Sequence, residues 1–167
     1  GESVCAGNAA VERARGVAEY LGIPHYVCDV SRDFREIILR HAQEEYAHAR
    51  TPSPCVRCNE WIKFGKLVPY VQSLGCTHLA TGHYAKIVTY QGRSCIARGV
   101  DSNKDQSYFL SGVPPMLLDH VMFPLGGLCK PEVRVLAEKY GLPSAKTADS
   151  QNVCITRPGQ TFAETLW

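Results

Sequence analysis

A chain of 167 residues, 45% of them hydrophobic and 20% charged, can bury one sizeable core and fits one globular domain better than two. Its formal net charge of +2 excludes the strong basic excess of a general nucleic-acid coat, so any RNA site must be a local patch. No apolar run is long enough to cross a bilayer, and the opening Gly1-Glu2-Ser3 has neither an initiator Met nor a signal-peptide pattern, which predicts a soluble fragment whose N-terminus lies upstream.

In chain order, Val11, Ala14, Val17, Ala18 and Leu21 fall on one face of a helix over Ala9 to Leu21, stopped by Gly22 and Pro24. The short apolar run Pro24 to Val30 reads as a buried strand, and Ser31 as the cap of a helix that turns Phe34, Ile37, Ile38 and His41 inward and continues to about Ala49. The loop Thr51-Pro52-Ser53-Pro54 breaks the pattern. A helix from about Cys58 to Leu74 follows, ending at Gly75, then a strand over Thr77 to Ala80. Tyr84 to Val88 and Ser94 to Gly99, joined near Gln91-Gly92, read as a hairpin appended to the sheet. A short helix after Asp105, a linker with Pro114 and Pro115, and a helix from Pro131 to Tyr140 complete the series. Helices alternating with strands predict a parallel α/β sheet with ligands at the carboxyl ends of its strands.

Eight cysteines, at 5, 28, 55, 58, 76, 95, 129 and 154, are dispersed rather than grouped as a disulfide framework, which favours a reducing cytoplasm. Cys5, Cys28, Cys76, Cys95 and Cys129 read as ordinary small buried residues. Cys55 and Cys58 are different, because Thr51-Pro-Ser-Pro-Cys-Val-Arg-Cys-Asn59 precedes a helix. A thiol at a helix start faces unpaired N–H groups that favour thiolate, and Arg57 and Lys63 add positive charge. The same spacing suits a structural metal clip or a thioredoxin-like redox pair, although zinc normally takes four ligands and this chain has one Cys-x-x-Cys.

Three further segments carry chemical groups. Leu79 to Ala85 puts Gly82 at a strand end, where a ligand can approach the backbone, and His83 beside it. Asp101 to Tyr108 reads either as a capped turn or as a polar surface for RNA. Ala148 to Ile155 sets Cys154 after a polar loop, and taken alone it reads as a core residue.

Together with Ile62-Lys-Phe-Gly65 and Phe123-Pro-Leu-Gly126, these segments, including Gly99-Val-Asp-Ser-Asn-Lys-Asp-Gln-Ser-Tyr-Phe-Leu110 and Asp149-Ser-Gln-Asn-Val-Cys-Ile155, resemble the tRNA-specific 2-thiouridylase family in order and spacing. The resemblance implies an ATP-pyrophosphatase-type fold, a doubly wound parallel sheet, incomplete here at its N-terminus. It divides the chain into a nucleotide-binding domain over 1–155 and the beginning of a connecting domain over 156–167. It implies adenylation of C2 of the wobble uridine of tRNA by ATP with Mg, followed by sulfur transfer from a cysteine persulfide charged by a cysteine desulfurase or relay protein.

Carried over by motif, Cys154 resembles the persulfide carrier, Cys58 the nucleophile that forms a disulfide with it, and Gly82 an ATP contact. Ser53, Pro54 and Cys55 correspond to the loop at the target base, and His83, Lys104, Asp105 and Gln106 to tRNA contacts. Cys55, Cys58 and Cys154 as a trio also resemble the ligand set of a 4Fe–4S cluster in related sulfur-insertion enzymes. The family's Ser-Gly-Gly-Val-Asp-Ser phosphate loop has no counterpart in the 167 residues, nor has its C-terminal barrel, so the isolated chain is expected to be inactive and to bind RNA weakly. The opposing class of function is a cysteine-based iron–sulfur, metal or redox module without RNA chemistry.

Overall fold

In a computed structural model, residues 8–143, 145, 154, 156 and 159–166 are described. The chain forms two compact units, Gly1–Pro54 with Arg134–Trp167, and Cys55–Val133.

The first unit is helical among its described residues. The opening helix, Asn8–Leu21, stops as its sequence predicts. Gly22 takes φ 65°, its N–H bonds to Glu19 and that of Ile23 to Ala18, satisfying carbonyls that the helix leaves open. The predicted strand Pro24 to Val30 is not one: residues 23–30 have no regular structure, and Tyr26 and Val27 are 71% and 60% exposed. A strand exists only with a hydrogen-bonded neighbour, and no described strand of this unit supplies it. Cys28 is exposed for the same reason, not buried.

Ser31 does not cap the next helix but is its first residue, after Val30 at the cap position, and the Asp29 carboxylate accepts the Ser31 N–H at 2.9 Å. That helix runs through Ser31–Asp33, Phe34–Leu39 and Arg40–Ala47. Its middle part is widened, with the Arg40 N–H reaching back five residues to Arg35. One extra residue in a turn rotates the inward face, so Phe34, Ile38 and Ala42 are buried while Ile37 and His41 are only half-buried. Gln43 bonds the Leu166 carbonyl at 2.8 Å, and Tyr20 the Tyr140 carbonyl at 3.0 Å, tying the C-terminal segments to this unit.

The second unit holds the sheets. Strand β1 (Leu79–Ala80) pairs in parallel with a strand not foreseen in the sequence, Val121–Met122, through Leu79↔Val121 and Ala80↔Met122. Between them in sequence, β2 (Ala85–Tyr90) and β3 (Arg93–Arg98) form an antiparallel hairpin with a sheet of its own. We number Val121–Met122 β4. The hairpin turn is the expected one, Gln91 and Gly92 both having positive φ, 49° and 74°, the geometry that matches strand twist.

Phe64, Val68, Ala85, Leu110, Val113, Leu118 and Val121 form the core, with Leu79, Ile87, Ile96, Leu117 and Phe123 packed around it. Parallel pairing flanked by helices is the α/β architecture that the sequence predicts. The helix ending at Ser73 closes on Gly75, φ 82°, which turns Cys76 out to solvent instead of into the core. Cys95 and Cys129 are half-buried, and Cys5 lies outside the described residues.

Candidate functional site

The cysteine segment is helical from Pro54, a residue whose fixed φ suits a first turn. Pro54–Arg57 is followed by a widened turn, Cys58–Phe64, in which the Gly65 N–H bonds to Glu60 five residues back. The helix therefore starts earlier than expected. Cys55 occupies its first turn, Cys58 lies one turn further in, and the macrodipole argument passes from Cys58 to Cys55. Both thiols are half-buried. The Arg57 guanidinium bonds Glu60 at 2.7 Å and lies 5.1 Å over the Trp61 ring.

Asn59, missed in the sequence, is only 2% exposed. Its Nδ2 donates to the Phe109 carbonyl at 2.8 Å, and its Oδ1 is buried without a hydrogen-bond partner. This bond fastens the turn after Cys58 to Ser107–Leu110, the short 3-10 helix at the end of the polar segment.

At the carboxyl end of β1, the Thr81 N–H bonds the Met122 carbonyl at 3.1 Å and extends the parallel pair. Beyond it opens a cavity of about 440 Å³ lined by Lys63, Leu67, Leu79, Thr81, Gly82, His83 and Gln106, within the roughly 300–1,000 Å³ of small-molecule sites. Gly82 and His83 thus share one site, as expected. Lys63 and Thr81 belong to it too; the sequence had pointed to Lys63 only as a neighbouring charge and to Thr81 not at all.

The His83 ring is buried, with Nδ1 2.7 Å from the Thr81 hydroxyl and ring contacts of 5.9 Å to both Phe64 and Phe123. Burial, assisted by the positive charge of Lys63, lowers its pKa to about 4. It is neutral at physiological pH and can offer a hydrogen bond but not a charge. As pH falls below about 6.5 the unfolded chain takes this proton first, so stability present above that pH is lost between about 6.5 and 4. The His83 imidazole resonances should stay unshifted from pH 8 to 5 in an NMR titration; a midpoint above 6 would contradict this burial.

The polar segment resolves largely into a capped turn. Asp101 is buried, its two oxygens taking the N–H groups of Asn103 and Lys130. Asp105 accepts from the Gly99 N–H and from the Ser107 N–H and hydroxyl, and these bonds hold its pKa low despite desolvation, the largest and opposing influence. Gln106 and Tyr84 bond reciprocally, Tyr84 N–H to Oε1 and Gln106 N–H to the Tyr84 carbonyl, each at 3.0 Å. Of the candidate tRNA contacts, Gln106 and His83 face the cavity, Asp105 serves the turn, and Lys104 is half-buried beside it.

In the first unit, Ser53 is half-buried and Pro54 buried. Cys154 sits in an exposed turn, not in a core. The remainder of its motif, Asp149 to Val153 and Ile155, lies outside the described residues. Among the described residues, no three His, Cys, Asp or Glu side chains are grouped to hold a metal ion, and no helix is long and apolar enough to cross a membrane.

A parallel pair with a glycine-lipped cavity at its carboxyl end is the ligand-site arrangement of α/β folds. The chain belongs to the family described as tRNA methyl transferase HUP domain, whose model matches residues 1–158. It is 50% identical over 153 residues, 92% of this chain, to a tRNA-specific 2-thiouridylase of Thermus thermophilus. Proteins of the same name from Rhodopirellula baltica and Agrobacterium fabrum are 44% and 45% identical over 95% of the chain. The chain spans about 40% of the length of these relatives, 40%, 39% and 41% respectively. The resemblance carried by its motifs is thus upheld.

Proposed function

We propose that this chain is the nucleotide-binding part of an enzyme that replaces the C2 oxygen of the tRNA wobble uridine with sulfur, at the expense of ATP. The family description speaks of methyl transfer and the relatives' names of thiolation. The observation that favours sulfur is a thiol-bearing turn, Cys55–Asn59, fastened through Asn59 and Phe109 to the same unit that holds the Gly82 cavity.

In this reading the uridine C2 oxygen is adenylated and pyrophosphate departs, Mg accompanying the triphosphate. The terminal sulfur of a Cys154 persulfide attacks C2 and AMP leaves with the original oxygen. Cys58 thiolate then attacks the Cys154 sulfur. The sulfur–sulfur bond to the nucleotide breaks, leaving 2-thiouridine and a Cys58–Cys154 disulfide, which an external thiol reduces before a desulfurase or relay protein delivers the next persulfide. Ser53, Pro54 and Cys55 adjoin the target base, with His83, Lys104, Asp105 and Gln106 toward the tRNA. The dispersed spacing of the cysteines suits a reducing cytoplasm. We assign residues 1–155 to the nucleotide-binding domain and 156–167 to the start of the next.

A 4Fe–4S cluster on Cys55, Cys58 and Cys154 is the competing reading, and it differs from persulfide transfer in needing the Cys55 thiolate as well. The decisive experiment incubates the full-length protein with ATP, a persulfide donor and tRNA, and digests the RNA for nucleoside mass spectrometry. ATP-dependent 2-thiouridine is the expected product; unmodified uridine would refute the proposal.

Gly82 offers a separate check on the nucleotide. A Cβ there would meet nothing closer than Leu125 Cδ1 at 3.7 Å, an ordinary contact. Gly82→Ala should leave the melting temperature within about 2 °C of the parent while raising the KM for ATP roughly tenfold, because the added methyl fills space that a bound nucleotide needs. An unchanged KM would remove Gly82 from the ATP site.

A further inference from the structure

We propose that Tyr108, set beside Phe109, is a stacking platform for one unpaired base of the tRNA next to the Cys58 turn. The proposal rests on the tRNA reading above and adds to it a binding residue outside the cavity. Tyr108 is 68% exposed and Phe109 37%, with ring centroids 5.6 Å apart and planes at 75°. At that exposure at least one face of the Tyr108 ring is open. Two adjacent aromatic rings facing water present an apolar, π-bearing surface to solvent.

The pair is exposed but not loosely held. Leu110, in the same 3-10 turn, is fully buried at 0%. The Phe109 N–H bonds the Gln106 carbonyl at 3.0 Å, the Ser111 N–H the Tyr108 carbonyl at 3.2 Å, and Asn59 clamps the Phe109 carbonyl at 2.8 Å. The Asp105 carboxylate fastens Ser107 from the other side. A ring anchored this way loses little conformational freedom when a base lies on it. Asn59 also makes the location specific, because it follows Cys58 directly. Tyr90, similarly exposed at 64%, stands at the end of the hairpin opposite Arg93 and has no such tie.

The charge of the unit is compatible with a polyanionic occupant. Cys55–Val133 contains eight Lys and Arg against five Asp and Glu, a net +3 where the whole chain is +2. All five acidic side chains are engaged within the unit: Glu60 with Arg57, Asp101 and Asp105 with backbone N–H groups, Asp119 with Ser94 and Glu132 with the Cys129 N–H. A polyanion therefore meets an excess of positive charge. Two rings supply far less than the roughly 800 Å² per partner of a stable protein interface, but they match a single base. Stacking accepts any base and needs only that it be splayed from its neighbours, as bases in RNA loops are.

The test is an anticodon stem-loop RNA carrying 2-aminopurine beside the target uridine, titrated with the full-length protein. Binding should quench the fluorophore as it stacks. Tyr108→Ala and Tyr108→Leu should abolish the quench and weaken binding roughly tenfold, whereas Tyr108→Trp and Tyr108→Phe should keep both within about twofold, since the ring and not the hydroxyl does the work. Melting temperatures should be unchanged in all four variants, the side chain being exposed. Equal quenching and affinity in the alanine and leucine variants would overturn the platform while leaving the tRNA reading intact. Failure of the wild-type protein to bind the RNA would overturn both.

Discussion

Exchanging Cys58 for serine is expected to lower tRNA thiolation by the full-length protein about a thousandfold or more, and Cys154→Ser should do the same. A thousandfold corresponds to roughly 4 kcal/mol of transition-state stabilisation, a reasonable loss when a nucleophile is removed outright rather than misplaced. Serine is nearly isosteric, but its hydroxyl is scarcely ionised near neutrality and cannot complete a thiol–disulfide exchange. Neither replacement should disturb folding, Cys58 being half-buried and Cys154 exposed, and a thermal melt checks this. The double variant should be no worse than either single one, because two sulfurs that share one exchange fail together. Cys55→Ser separates the chemistries: persulfide transfer predicts activity within about threefold of the parent, whereas an iron–sulfur cluster needs all three thiolates and predicts loss. Product is quantified as 2-thiouridine by mass spectrometry, and more than a tenth of parental activity in Cys58→Ser or Cys154→Ser would sink the role assigned to that residue.

What the sequence made legible was what short-range physics decides. Gly22 and Gly75 ended their helices because a positive φ is theirs to adopt cheaply, and Gln91-Gly92 turned the hairpin for a similar reason. Residues 23–30 looked like a buried strand because their composition suits one, yet a strand is a property of two segments and the second is absent among the described residues of that unit. The widened turns at Phe34–Leu39 and Cys58–Phe64 were out of reach of a 3.6-residue period, and with them went the true helix start at Pro54.

The site divided in the same way. Gly82 and His83 were found because they sit at a strand end, a place where α/β folds put ligands. Thr81 and Asn59 were not, since their importance lies in partners: the His83 ring for one, the Phe109 carbonyl fifty residues away for the other. Asp101 and Asp105 could be read as turn formers or as RNA contacts, and the N–H groups they accept show the turn that carries the segment.

Gly126→Ala should be the most damaging single methyl in the second unit. Gly126 is buried, its N–H bonded to the Phe123 carbonyl and its carbonyl to the Val100 N–H, each at 3.1 Å. A Cβ at this position would overlap the carbonyl oxygen of Ala85, the first residue of β2 and itself 0% exposed. No side-chain rotation relieves a clash between a Cβ and a backbone oxygen, so one of the two backbones must move. Moving Ala85 displaces Tyr84, whose reciprocal bonds to Gln106 hold one wall of the cavity, and His83 beside it. The expected cost is about 4 kcal/mol or more, a large share of the roughly 5–15 kcal/mol that stabilises a typical domain, and cavity ligands should be lost with it. Gly127→Ala is the control, since nothing lies within 4 Å of its Cβ position, and it should unfold with the parent in a urea titration. If Gly126→Ala also unfolds within about 1 kcal/mol of the parent, the close approach of the Phe123–Gly126 turn to β2 is wrong, and with it the account of what holds His83 in place.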